Sequence, residues 1–344
     1  MKYRAGIVGC GRIGSEFDDA PKRKVISTHA GAYSAVDEVE LVAVCDLNKE
    51  RLKKCGKRWH VPSLYQDYGE MLRKEALDIL SICTWNSTHL DIVKEAVNSG
   101  VKAIFCEKPI ADSLKNADEM IKLCDEKKVI LQIDHQRRFD EFHQDVRSFV
   151  QNGKLGRIQQ VSFYYTAGIA NTGSHMFDLL RFFFGDVAWV QATYSQNKSP
   201  NINDPNIDGI VKFRDGIFCA IQACDVQEFL IFEIDCIGTK GRLNLTHSGF
   251  DVEFYKVRES ELFSGYKEIF KSDFPINKKA PREFMVSAIR HLVECLKEGQ
   301  KPICSGEDGR AALELICAFH ESARADGNKI SLPLMDSEIE VKLG

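Results

Sequence analysis

A doubly wound parallel α/β sheet, followed by an α+β unit with a mostly antiparallel open sheet, is the fold class that three observations predict. In the first third of the chain, short continuously apolar runs alternate with segments of helical period. After about residue 133 the texture changes to strand-length runs separated by tight-turn pairs. The 344 residues also exceed one ordinary core, since domains run to about 100–200 residues. The expected division is residues 1–133 and 134–344.

The first strands are read at 4–9 "RAGIVG", 41–46 "LVAVCD", 78–84 "DILSICT", 103–107 "AIFCE" and 129–134 "VILQID". Helices are expected near 28–36, 48–58, 67–75, 87–99 and 113–127. Apolar strands without polar alternation, joined by amphipathic helices, imply a parallel sheet covered on both faces. A linking helix near 139–152 leads into strand-like runs at 157–166, 187–194, 208–214, 216–225, 229–237 and 250–257. Asp215-Gly216 and "GTKG" at 238–241 are tight-turn signals, the Asp-Gly pair being the stronger hairpin signal. Helices near 173–184, 281–298 and 308–325 complete the second half.

With 44% hydrophobic and 28% charged residues, the composition is globular and excludes a disordered chain. The formal net charge of −4 gives no basis for nucleic acid or an anionic membrane as partner. No apolar run is long enough to span a bilayer and no cleavable signal is evident, so a cytoplasmic location is expected. Twelve cysteines contain no C-x-x-C pair. Cys10, Cys45, Cys83 and Cys106 lie in or just after apolar runs, which reads as core thiols in a reducing compartment and not as a metal site.

"GIVGCGRIG" places Gly9, Gly11 and Gly14 in G-x-G-x-x-G spacing directly after the first strand, with Arg12 and Ile13 inside the turn. These glycines allow a tight turn, close approach of backbone to a pyrophosphate and close helix packing, which predicts a Rossmann-type dinucleotide site. Asp46 closes the second strand. A carboxylate there accepts hydrogen bonds from the adenosine ribose and repels a 2′-phosphate, favouring NAD over NADP. A helix-capping role is compatible with the same position. The 32 residues from Gly14 to Asp46 exceed the usual interval of about 20, and "SEFDDAPKRKVIS" supplies the excess. It reads as a solvated surface loop; a flap bringing Lys22, Arg23 or Lys24 to phosphate is the alternative, under which NADP stays possible.

At 84–111 the chain runs "TWNSTHLDIVKEAVNSGVKAIFCEKPIA". This resembles the Gfo/Idh/MocA oxidoreductases, whose pattern is T-P-N-x-x-H, a helix ending in glycine, then a strand ending in E-K-P. Thr84, Asn86, His89, Gly100, Glu107, Lys108 and Pro109 match, whereas Trp85 replaces the usual proline. "QRRF" at 136–139, "IGTKGRL" at 237–243 and "AALELICAFHESAR" near the end extend the resemblance over nearly the whole chain. It implies that Thr84, Asn86, His89 and Glu107 line the nicotinamide end of the cofactor, and that Lys108 contacts both cofactor and substrate. Lysine after the fifth strand is also placed where open α/β sheets bind ligands, and an ammonium there stabilises a developing alkoxide. Gln136 is a weaker candidate for the cleft. Arg137 and Arg138 could grip a carboxylate or phosphate of a substrate or form salt bridges across the domain boundary, and they are read as structural.

In "GIANTGSHMFDLL", residues 168–180, His175 and Asp178 match a family pattern of Asp, then His four residues on, then Asp three further on. Asn171 stands where the first Asp is expected. The resemblance makes His175 the proton acceptor, and imidazole suits removal of a hydroxyl proton near neutral pH. Asn171 retains hydrogen-bonding capacity but cannot act as acid or base. Three consequences stay open: a less basic His175 working with Lys108, Asn171 as a ligand of a substrate hydroxyl, or loss of turnover. The function implied is an NAD(P)-dependent oxidoreductase acting on a hydroxyl of a sugar, cyclitol or sugar derivative, in a homodimer or homotetramer. The alternative is a cofactor-bound sugar sensor without turnover.

Overall fold

The apolar runs of the N-terminal third form a six-stranded, all-parallel sheet. The computed structural model describes residues 2–21, 24–275, 282–334 and 336–343. The strands are β1 (Tyr3–Val8), β2 (Val39–Cys45), β3 (Ser63–Tyr65), β4 (Ile79–Ile82), β5 (Ala103–Cys106) and β6 (Ile130–Ile133), in the order β3-β2-β1-β4-β5-β6. Chain order reverses between β1 and β4, so their carboxyl ends flank the topological switch point. Strand β3 has no counterpart among the expected strands because three residues make no readable run.

Helices α1 (His29–Ser34), α2 (Lys49–Trp59), α3 (Tyr68–Glu75), α4 (His89–Asn98) and α5 (Leu114–Lys127) connect these strands. Their ends follow local chemistry. The Asn48 side chain accepts the Glu50 and Arg51 amides, and Asp67 and Ser113 accept those of Glu70 and Asn116. Each such cap is worth about 1 kcal/mol. Left-handed His60, Ala76 and Lys128 stop α2, α3 and α5.

Contacts divide the chain into two compact units, Met1–Asp140 with Pro281–Ala311, and Glu141–Ala280 with Ala312–Leu343. The second unit contains α6 (Glu141–Gln151), α7 (Gly173–Phe184) and a nine-stranded sheet. Its strands are β7 (Ile158–Tyr165), β8 (Val187–Tyr194), β9 (Ile207–Phe213), β10 (Phe218–Ala223), β11 (Phe232–Gly238), β12 (Gly241–Thr246), β13 (Asp251–Glu259), β14 (Lys267–Ser272) and β15 (Ile330–Ser331). The order is β14-β13-β12-β11-β7-β10-β9-β8-β15, and every pair is antiparallel except β7 with β10. Asp215 and Gly216 turn β9 into β10, with Gly216 at φ 98°. Burial alternates along β11 and β12, so Ile234, Cys236, Leu243 and Leu245 fill one face while the other stays open. Helix α8 (Phe284–Glu298) packs in the first unit against α1. The unit boundary falls within α9 (Gly306–Arg324).

The twelve cysteines are thiols, ten of them buried. They act as core residues: burial raises Cys45 and Cys124 to about 12, so both stay neutral thiols. Among the described residues, no helix is long and apolar enough to cross a membrane.

Candidate active site

The glycine turn after β1 is shaped by its neighbours on both sides. A methyl group on Gly14 would overlap the Gly9 carbonyl oxygen. On Gly11 it would meet nothing within 4 Å. The turn is therefore closed on the protein side and open on the other, as close approach of a pyrophosphate requires. Asp46 holds the turn from β2: Oδ2 accepts the Cys10 amide at 2.7 Å, and Oδ1 accepts the Asn48 amide at 2.7 Å. Asn48, and not Asp46, caps α2. Each carboxylate oxygen keeps a second lone pair for a ribose hydroxyl. Arg12 lies over the Phe17 ring at 4.8 Å. These residues fit a dinucleotide.

The long interval to Asp46 has a local explanation. The His29 and Ala30 amides donate to the Ile13 and Gly14 carbonyls at 3.1 and 3.0 Å. His29 thus stands where residue 17 would stand in an unbroken helix. About twelve residues are looped out, and the interval of 32 shrinks to the usual value of about 20. The loop is tied down rather than solvated freely. Asp18 accepts the Ser27 amide and the Thr28 hydroxyl at 2.7 and 2.5 Å, and Thr28 caps α1. Glu16 pairs with Arg51 at 3.5 Å, Asp19 with Lys54 at 2.7 Å and with Arg58, and Trp59 Nε1 donates to Ser15 Oγ at 2.9 Å. The acidic half of the insertion therefore occupies cations of α2. Lys24 is exposed; Lys22 and Arg23, named for the flap, lie outside the described residues.

At the carboxyl ends of β4 and β5, the matched residues divide into two groups. Thr84 and Lys108 are partly exposed, with Trp85 exposed beside Thr84. Asn86 and His89 are buried, at 3% and 0% exposure. Asn86 Nδ2 donates to the Ala111 carbonyl at 3.1 Å. The His89 ring lies between the two loops, 3.0 Å from the Ile110 carbonyl and 3.2 Å from that of Thr84, and as a neutral imidazole it donates to one of them. Burial lowers its pKa, outweighing the pull of those carbonyls. The Lys108-Pro109 bond is cis. The Lys108 amide donates to its neighbour's Oε2, on Glu107, at 3.2 Å.

Glu107 is itself nearly buried and faces His29, a residue unremarked in the sequence. His29 Nε2 lies 3.1 Å from Glu107 Oε1 and 3.7 Å from Asp134 Oδ2. Its Nδ1 lies 2.8 Å from Ser81 Oγ, which lies 2.7 Å from the Tyr33 hydroxyl. Burial opposes charge on His29, but Cys83, Asp134 and Glu107 hold its pKa well above the usual value. Burial likewise opposes charge on Glu107, and the imidazolium outweighs it and lowers the carboxyl. Gln136 opens a 3-10 turn after β6 and is partly exposed. Arg138 in that turn donates to the Ile303 carbonyl at 2.9 Å and pairs with Asp308 at 3.1 Å. That bridge lies within the first unit.

In the second unit, the segment before α7 is held by "DPN" at 204–206. Gly168 is at φ 94°, and a side chain there would overlap Asp204. Asp204, 2% exposed, accepts the Ala170 and Asn171 amides at 2.7 and 2.9 Å. Asn206 accepts the Gly168 amide at 2.9 Å, and Pro205 accepts that of Ile169 at 3.0 Å. Asn171 lies ahead of the helix and is exposed, its Nδ2 donating to the Ala167 carbonyl at 3.3 Å. His175 sits on the first turn of α7, half-buried, with Asp178 buried one turn on. A buried carboxylate thus anchors the segment where the family Asp is absent, although as a backbone acceptor.

Comparison with known proteins agrees with this geometry. Residues 3–135 match the oxidoreductase family profile described as NAD-binding Rossmann fold, and residues 165–332 match that family's C-terminal alpha/beta domain. D-apiose dehydrogenase of Paraburkholderia graminis is 26% identical, covering 98% of this chain and 92% of that protein. Myo-inositol 2-dehydrogenase of Thermotoga maritima is 25% identical, covering 93% and 96%. The fold is shared with the WlbA dehydrogenase of Bordetella pertussis solved with NADH and UDP-GlcNAcA, at 24% identity, coverage of 97% and 100%, and TM-score 0.78. With two profiles spanning both halves, a glycine turn shaped for a dinucleotide and an intact Glu107-Lys108-Pro109, this chain belongs to the Gfo/Idh/MocA family of NAD-binding oxidoreductases.

Proposed function

We propose that the chain is an NAD-dependent dehydrogenase that oxidises a hydroxyl-bearing carbon of a sugar, cyclitol or sugar derivative. The observation that carries this reading is a dinucleotide turn joined, in one unit, to a partly exposed Lys108 whose amide is held by Glu107, itself paired with the buried His29. When bound, NAD supplies the hydride acceptor. Gly9, Gly11, Arg12, Ile13 and Gly14 hold its pyrophosphate end, Asp46 its ribose, and Thr84, Lys108 and Gln136 its nicotinamide end. Asn86, His89 and Glu107 position the loops that carry Thr84 and Lys108. The Lys108 ammonium hydrogen-bonds the substrate hydroxyl oxygen and stabilises alkoxide character as it develops. His175 accepts the hydroxyl proton, and Asn171 orients a substrate hydroxyl through its amide.

Family relatives named as dehydrogenases of apiose and inositol support a polyhydroxylated substrate over a sensor without turnover. Bound L-sorbose with NADH in levoglucosan dehydrogenase, a fold neighbour with TM-score 0.79, is consistent with that class. We also assign a cytoplasmic location and a homodimer or homotetramer. Half-exposed Ile210, Phe218 and Ile269 on the second sheet support association. Nicotinamide absorbance during incubation with aldoses, ketoses, cyclitols and nucleotide sugars tests the reading. Reduction of NAD by members of one class is expected. No reduction by any, with no cofactor released on denaturation, refutes it.

A further inference from the structure

We propose that His29, Glu107 and Asp134 form one buried proton-sharing unit that sets the charge facing Lys108, which makes His29 and Asp134 positioning residues for the oxidoreductase reaction. The inference rests on the role given to Lys108 above. His29 opens α1, Glu107 follows β5 and Asp134 follows β6, so topology brings three distant residues to the carboxyl edge of one sheet. Their donor atoms lie within 4.8 Å of one another. Exposure is 0% for His29, 7% for Glu107 and 3% for Asp134.

Two carboxylates against one imidazolium would leave a net negative charge sealed from water, which is costly. One imidazolium, one carboxylate and one neutral carboxyl leave the unit uncharged. The neutral member is Asp134. Glu107 has the shorter contact to His29 and accepts the Lys108 amide. Asp134 is farther from the imidazole, and its carboxyl hydrogen-bonds Glu107, which can accept the proton that Asp134 holds. Burial and the Glu107 charge push Asp134 up to about 7. A metal ion is a poorer occupant, because both imidazole nitrogens are engaged, Nδ1 by Ser81 and Nε2 by Glu107.

The ionisable groups facing this unit among the described residues include Tyr33 from α1, Cys83 after β4, His89 from α4, which burial keeps neutral, Cys106 and Lys108 on β5 and its continuation, and His135 beside Asp134. Burial raises Tyr33, Cys83 and Cys106, so none of these competes for the proton near neutrality. When Asp134 releases its proton, the unit passes from neutral to −1. The ammonium of Lys108 then faces a net negative charge and is favoured over the free amine.

The test uses the full-length protein and Asp134→Asn. Infrared difference spectra between acidic and alkaline pH, recorded without substrate, report a protonated carboxyl directly. A band titrating near neutrality is expected in the parent and absent in the variant. The profile of kcat/KM against pH should lose the same ionisation, with NAD affinity changed by less than about threefold. Ser81→Ala serves if Asp134→Asn fails to fold. Freeing Nδ1 weakens the imidazolium, so the band midpoint should move to higher pH. An absent band in the parent, a band retained in Asp134→Asn, an unmoved midpoint in Ser81→Ala, or stoichiometric bound metal overturns the unit. A lost band with an unchanged rate profile overturns the coupling alone. Full turnover in Lys108→Ala overturns the role of Lys108 and the coupling with it, while the infrared result still decides the unit.

Discussion

Replacing Asp204 by Ala isolates the device that holds the segment before His175. The Ala170 amide is buried and donates to a carboxylate at 2.7 Å. A charge-assisted bond of this kind contributes roughly 1.5–3 kcal/mol, and leaving the donor unpaired forfeits that and more. The Asn171 amide, in an exposed residue, can turn to water and should lose only about 0.5–1 kcal/mol. Asp204→Ala therefore lowers local stability by about 2–4 kcal/mol, concentrated at one amide. Native-state hydrogen exchange reads this residue by residue. Exchange at Ala170 should accelerate roughly a hundredfold and at Asn171 by less than about tenfold. Phe163, inside β7, serves as the internal control and should be unchanged. Asp204→Asn, which keeps one acceptor oxygen, should fall between. Uniform acceleration across β7 and the loop would mean that the second unit as a whole is destabilised. Unchanged exchange at Ala170 would refute the anchor.

Two further outcomes follow from the first unit. Gly11→Ala should leave thermal stability intact, because the new methyl meets no protein atom within 4 Å. It should still weaken NAD binding by calorimetry at least about tenfold, since that open side is where the pyrophosphate approaches. Gly14→Ala should lower both, the stability by about 1–3 kcal/mol through overlap with the Gly9 carbonyl. Equal effects of the two variants on stability would contradict the geometry. Glu16→Gln should release Arg51 from its 3.5 Å pair and tighten NADP binding about three- to tenfold, with NAD unaffected. NADP affinity that does not move would leave discrimination to Asp46 alone.

How far the sequence could be read depended on the distance over which each feature is encoded. Strands β1, β2, β4, β5 and β6 are continuous apolar runs, and the helices between them, α4 excepted, carry their own side-chain caps. Strand β12 begins at the last residue of "GTKG" and merges with that turn. Strand β14 is a half-polar edge with no fully buried residue, so burial leaves it no signature. The glycine turn, Asp46 and Glu107-Lys108-Pro109 are local patterns and were legible. The His29–Glu107 contact spans 78 positions and exists only because α1 and β5 meet at the same sheet edge. The "THAGAY" segment looks like a plain helix start until its amides are seen continuing a helix interrupted twelve or so residues earlier. Asp204 lies 34 positions from Ala170 in "NDPNID", which reads as an unremarkable polar turn. In both cases the buried polar group is specified by topology and not by spacing. The only local hint is an acidic residue where exposure would be expected.

The central claim is that Lys108 acts on the reacting hydroxyl rather than only holding cofactor. Stopped-flow nicotinamide absorbance with Lys108→Ala, alongside calorimetric NAD affinity of the same variant, tests it most directly. A loss of turnover of about 100-fold or more is expected, with NAD affinity within about threefold of the parent. Parent-like turnover, or a loss explained entirely by weaker NAD binding, would contradict it.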